Sequence, residues 1–279
     1  MRSSSQGKAA SRAWRLIDGG DRSGARNMAI DLALLRLHLA GQAPPTLHVY
    51  GWQPEAVSLG SKQDASQALD LDRCRLEGID AVRRPTGGRA VFHSGDFTFS
   101  FIASSCSRIP PGVNESYATI CRIVATALRA LGVVAATGER GRPSRRSAAC
   151  FASSTVADLA VDGRKLVGGA QRWERNAFLQ QNSLLVVPEP GRAFRYIRPP
   201  RGKSVTEASE ELAAEVCGLA ELMGELPERA RIVEALATGL EETLEVAIVP
   251  GELSREEIAL ARILLESGGE TAVGLAGTA

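Results

Sequence analysis

Residues 79–103, IDAVRRPTGGRAVFHSGDFTFSFIA, constrain the architecture more than any other stretch of the 279-residue chain. They read as strand, glycine turn, strand, loop, strand. In the last of these, Phe97, Phe99 and Phe101 alternate with Thr98, Ser100 and Ile102, so one face is aromatic and is expected to lie on a core layer. The Gly87-Gly88 pair opens backbone conformations closed to other residues and lets a ligand approach the chain closely. The arginines around it, Arg83, Arg84 and Arg89, suit pairing with phosphate or carboxylate. No G-K-[ST] follows and no G-x-G-x-x-G opens a helix, which excludes the common nucleotide loops. A plain hairpin corner is the alternative reading.

Apolar spacing predicts helices over 26–40, with Met28, Leu32, Leu35 and Leu39 in one row, and over 115–132, with Ile120, Val124, Ala127 and Leu131 in another. TLHVYGW (46–52), AVSLG (56–60) and AFLQQNSLLVV (177–187) read as strands, and 69–78 as a short helix closed by its glycine. Asp162-Gly163 marks a tight hairpin turn between TVADLAV (155–161) and RKLVGGAQRW (164–173). From Ser204 the composition shifts to helix formers, and SEELAAEVCGLAELMG, ERARIVEALATGLEETL and SREEIALARILLES predict three helices. The expected organisation is a disordered arm (1–13), an α+β domain (14–203), a C-terminal helical region (204–268) and a frayed tail (269–279).

Thirty-three basic residues against thirty-two acidic ones give a net charge of +1, so no global field points to nucleic acid or to an anionic membrane. No apolar run approaches the roughly 20 residues that span a bilayer. No apolar segment follows the Ser-rich start as a secretory signal requires, so the expected location is cytoplasmic. Cys74, Cys106, Cys121, Cys150 and Cys217 contain no C-x-x-C pair, which argues against a disulfide framework and against a zinc site; no metal is expected.

Three residues outside the glycine turn carry chemistry. Cys150 follows the basic run Arg140, Arg142, Arg145 and Arg146, and neighbouring cations lower a thiol's pKa, so its setting suits a nucleophile better than that of the other four cysteines. A solvated loop explains the arginines equally well. Lys165 either projects an ammonium into a cleft beside Gly168-Gly169 or guards an exposed sheet edge. His93 is either a general base or a hydrogen-bonded structural residue.

Taken together, NMAIDLALL, LHVYGWQPEAVSLGSKQ, VRRPTGGRAVFH, ESYATICRIVATALRALGV, ACFASSTVADLAVDGRKLVGGAQ and LQQNSLLV resemble, in order and spacing, the lipoate-protein ligase A and octanoyltransferase family. That family lies within the biotin/lipoate protein ligase superfamily, and the resemblance covers residues 14–187. Arg89 after the glycine pair, Cys150-Phe151 fifteen residues before Lys165, and Ala170-Gln171 after it bring the likeness closer to the cysteine-using octanoyltransferases than to ATP-dependent ligases.

The resemblance implies a mixed, mostly antiparallel sheet packed against helices. It also implies transfer of octanoate from acyl carrier protein to a lysine of a lipoyl domain, such as the glycine-cleavage H protein, without a cofactor. Cys150 would be the nucleophile, and Lys165 with backbone N–H groups would meet the oxyanion. Arg83, Arg84, Thr86, Gly87, Gly88, His93, Gly168, Gly169 and Gln171 would line the acyl pocket and its mouth. The basic run 140–146 would guide the acidic carrier. Three alternatives stand beside this: an ATP- and Mg-dependent ligase working through an acyl-adenylate, an amidotransferase between lipoyl domains, and an inactive paralogue that only binds carriers. The chain departs from the family's usual acidic residue at Leu32, its histidine-glycine pair at Gln181-Asn182 and its serine at Gly169.

Overall fold

The computed structural model describes residues 13–137, 158–268 and 273. Eight strands form the main sheet, in the spatial order β11 (Ala247–Pro250), β1 (Ala13–Arg22), β2 (Thr46–Trp52), β6 (Asp96–Ser104), β10 (Ala177–Leu185), β9 (Arg164–Glu174), β8 (Leu159–Val161) and β7 (Ala136–Thr137). The β11–β1 and β1–β2 pairs are parallel and the others antiparallel. A second sheet has the order β4 (Asp80–Arg83), β3 (Ala56–Leu59), β5 (Val91–His93). The fold is therefore the expected α+β arrangement with a mixed, mostly antiparallel sheet.

The alternation in β6 sets the two faces of the main sheet. Phe97, Phe99 and Phe101 are buried in one cluster with Ile120, Ile123, Val124 and Ala127 of α4 (Val113–Ala130) and Ile232, Leu236 and Leu240 of α8 (Arg229–Leu244). Ile102, on the opposite face, packs with Ala29, Ile30, Ala33 and Leu34 of α1 (Gly24–Leu39). The first three turns of α1 are buried almost all round, as expected of a helix held between layers rather than on a surface. On its outer side lies α9 (Arg255–Glu266), tied to β1 by the bidentate Arg15–Glu257 pair at 2.5 and 3.0 Å.

The chain after Ser204 is not the purely helical region expected. It contributes β11 to the main sheet, and its helices α8 and α9 cover both faces of that sheet. The helix expected over 209–224 is two, α6 (Val205–Glu215) and α7 (Leu219–Met223). Between them Val216 bridges to Lys165, and the Cys217 N–H donates to the Lys165 carbonyl at 3.0 Å, so a strand-like contact competes successfully with helix continuation. Strand β1 and the short α5 (Pro190–Tyr196) were not anticipated. Among the described residues no helix is long and apolar enough to cross a membrane.

Candidate active site

A narrow cleft, lined by Arg84, Val91 and His93 on the small-sheet side and by Gly168–Ala170 of β9 and Gln181–Ser183 of β10, lies between the two sheets. Met28, Tyr50, Trp52 and Val91 supply apolar surface; Gly168, Gly169 and Ala170 bring backbone to its floor. Its polar walls are already occupied by one another. His93 stacks on Trp52 with ring centroids 3.9 Å apart, and its two nitrogens contact Ser58 Oγ at 2.7 Å and Asp96 Oδ2 at 2.8 Å. The Thr98 and Ser183 hydroxyls donate to the same Asp96 oxygen, and Trp52 Nε1 donates to Thr98. Burial alone would raise the Asp96 carboxyl, but the His93 imidazole and the two hydroxyls outweigh it and hold it below its ordinary value. His93 therefore borders the pocket as a fixed wall with both nitrogens engaged.

A second network lies under Gln181. The Asp31 carboxylate of α1, fully buried, contacts His48 Nδ1 at 2.9 Å and accepts from Tyr50 at 3.1 Å, Ser100 at 2.7 Å and Gln181 Nε2 at 2.8 Å. Gln181 Oε1 in turn accepts from Thr86 in the glycine turn at 2.6 Å. None of Asp31, His48, Ser58 or Asp96 was singled out from the sequence. Each is a lone polar residue inside an apolar or alternating run, which is the one signal they give.

The three arginines of the turn separate by role. Arg83 Nη1 donates to the Gly60 and Gln63 carbonyls at 3.2 and 2.7 Å, and Arg84 donates to the carbonyls of Ser58, Gly87 and Arg89 at 2.8–2.9 Å. Both hold backbone. Arg89 Nη1 is buried without an acceptor among the described residues. The turn also depends on close backbone approach: a Cβ at Gly60 would stand 2.0 Å from the Gly88 carbonyl oxygen, and Gly88 itself has φ of 93°. Gly87 and Gly88 face an open cleft shared with Lys62, Gln171 and Arg172.

Lys165 is only 4% exposed, which removes the exposed-edge alternative; its Nζ lies 2.9 Å from Asp158 Oδ2, itself 2% exposed. Asp158 went unnoticed in TVADLAV although it is the sole charge in that run. Cys150 and the basic run 140–146 lie outside the described residues. The thiols of three other cysteines are unsuited to chemistry: burial pushes Cys74 up to about 11 and Cys121 up to about 12, and it also raises Cys217. Iodoacetamide at neutral pH should accordingly leave these three unmodified in the folded protein, read by peptide mass spectrometry. Rapid alkylation of any of them before unfolding would contradict that burial.

Gln171 lines the cleft of Gly87 and Gly88 but not the one beside His93, and its side chain bonds Ser116 of α4, Gln180 of β10 and Trp173 of β9. Gly169 lies directly across the ladder from Asn182, and a Cβ there would come within 2.6 Å of the Tyr117 hydroxyl and 2.7 Å of Asn182 Oδ1. Two departures from the family pattern thus form one exchange of volume between opposite strands. Gly169→Ser should cost about 1–3 kcal/mol by overpacking and distinctly less when Asn182→Gly is already present, measured by urea unfolding. An equal cost in both backgrounds would show the positions to be independent.

Fold and cleft together define an α+β domain with a largely apolar cleft between its two sheets. The sequence matches the Lipoyl protein ligase A/B catalytic domain over residues 23–241. It is 37% identical over 260 residues to an octanoyltransferase LipM of Symbiobacterium thermophilum, covering 91% of this chain and 94% of that one. It is 38% identical over 251 residues to an octanoyltransferase LipM of Kyrpidia tusciae, covering 88% and 92%. Among solved structures, lipoate-protein ligase A bound with ATP superposes with a TM-score of 0.76 at 25% identity, covering 91% of this chain and 94% of that one. The chain belongs to the lipoyl protein ligase A/B catalytic domain family.

Proposed function

We propose that this protein is an octanoyltransferase of lipoate biosynthesis, an acyltransferase that carries octanoate from acyl carrier protein to a lysine of a lipoyl domain such as the glycine-cleavage H protein. The similarity to the octanoyltransferases LipM supports the reaction class. The observation that carries the reading further is the state of the cavity walls. Tyr50, Trp52, Arg84, His93, Thr98, Gln181, Asn182 and Ser183 all spend their polar atoms on other protein groups. An alkyl chain can therefore enter without stranding a donor or acceptor, and each buried methylene gains about 0.8 kcal/mol.

In this reading the Cys150 thiolate attacks the carrier's thioester carbon, and the carrier thiolate leaves with the electron pair of the old C–S bond. The neutral amine of the acceptor lysine then attacks the Cys150 thioester; the amide C–N bond forms, Cys150 leaves as thiolate, and the amine gives up a proton. The first exchange is nearly balanced and the second runs downhill, so neither ATP nor a metal enters. Lys165 and the N–H groups of Gly87 and Gly88 are the donors assigned to the tetrahedral oxyanion. Arg83, Arg84 and Thr86 shape the turn, His93, Gly168 and Gly169 the pocket, and Gln171 supports the strand from behind.

The test mixes the protein with octanoyl acyl carrier protein and unmodified H protein, without nucleotide. Octanoylated H protein should form, and added ATP should not accelerate it. Octanoylation that requires free octanoate and ATP would assign the chain to the ligases instead.

A further inference from the structure

The glycine turn is fastened to the two layers in different ways. Toward its own small sheet it is held by Arg84 on the Gly87 and Arg89 carbonyls and by the Ser61 N–H on the Thr86 carbonyl at 2.9 Å. Its ties to the main sheet include Arg172 Nη1 to the Pro85 carbonyl at 3.4 Å and the much shorter Thr86–Gln181 bond at 2.6 Å. Thr86 is fully buried and Gln181 is 5% exposed, so water does not compete for that bond. Its polarity is also fixed. The Asp31 oxygen accepts from the Gln181 amide nitrogen, which leaves the Gln181 oxygen to accept from the Thr86 hydroxyl. Asp31 is in turn immobilised by His48, Tyr50 and Ser100 on two other strands.

We propose that Gln181 is a positioning residue: the Asp31–Gln181–Thr86 strut sets the height of the glycine turn above Gly168–Ala170 and so the placement of the acyl carbonyl against the turn's N–H groups. The second half of this statement rests on the octanoyl-transfer reading; the first does not. The strut's chemistry specifies which replacements work. A neutral imidazole offers one donor and one acceptor on opposite sides and can serve both ends. Leucine serves neither, and valine at 86 removes the donor from the other end with little change of shape.

Two readouts separate the strut from the reaction. In the full-length protein, amide hydrogen exchange across residues 84–92 should quicken in Thr86→Val and Gln181→Leu and stay native in Gln181→His. In octanoyl transfer, each of the first two variants should lower kcat by about 10- to 100-fold, the scale of sub-ångström to 1 Å misplacement, with KM for the donor within about threefold. The double variant should be no slower than the worse single one, because both break the same bond, and Gln181→His should keep kcat within about fivefold of native. Unchanged exchange in Thr86→Val and Gln181→Leu, multiplicative loss in the double variant, or a Gln181→His enzyme as slow as Gln181→Leu would each overturn the proposal. A native protein that transfers no octanoate, while exchange responds as described, would overturn the transfer reading and leave the strut standing.

Discussion

Replacing Lys165 by methionine should lower octanoyl transfer by about 10²- to 10³-fold, the usual cost of removing one oxyanion donor. The same change should destabilise the fold by about 3–5 kcal/mol, because it breaks a buried ion pair by removing one member. The other member is Asp158, 2% exposed and 2.9 Å from Lys165 Nζ. The two effects are separable. Adding Asp158→Asn removes the remaining carboxylate and should restore most of the stability, measured by urea unfolding, while transfer stays at the level of the single variant. Recovery of transfer together with stability would make Lys165 a structural partner of Asp158 and nothing more.

Gly60→Ala should be nearly as damaging to transfer, for a different reason. The new methyl group would sit 2.0 Å from the Gly88 carbonyl oxygen and 3.1 Å from the Gly87 carbonyl carbon, both backbone atoms with no rotamer to yield. The turn must move outward, and a displacement of about 1 Å at a reacting centre costs on the order of 10²-fold in rate. Overpacking at one position costs stability by only about 1–3 kcal/mol. Activity should therefore collapse while the protein stays folded, visible as a large fall in kcat/KM with a modest shift in the urea midpoint. Near-native kcat/KM would mean that the turn is softer than its ties to Arg84 and Gln181 indicate.

Much of this geometry is local and could be read from residue order. The Phe97–Phe101 alternation, the Asp162-Gly163 hairpin and the two apolar helical rows each report a period that a strand or helix must satisfy regardless of its neighbours. The elements that escaped were those whose identity comes from distant partners. Strand β11 has four residues, three of them exposed, and exists because β1 offers a parallel edge. The break between α6 and α7 exists because Lys165 takes the Cys217 N–H.

The site divides along the same line. The glycine turn, His93 and Lys165 are legible because backbone freedom and isolated charge are visible in a single sequence. Asp31, Asp158 and the strut through Gln181 are pairings between residues 7 to 150 positions apart, which no local pattern displays. Gln181, Asn182 and Gly169 looked like departures that put the pocket geometry in question. In place, Gln181 bonds at both ends and Asn182 fills the space that Gly169 leaves open.

The most direct test of octanoyl transfer through a covalent enzyme intermediate is intact-protein mass spectrometry after mixing the protein with octanoyl acyl carrier protein in the absence of ATP, with Cys150→Ala alongside. The mechanism predicts one octanoyl adduct on the native chain, released by hydroxylamine as a thioester should be, and none on Cys150→Ala. An adduct that persists in Cys150→Ala, or a native chain that stays unmodified and still octanoylates a lipoyl domain, would contradict it.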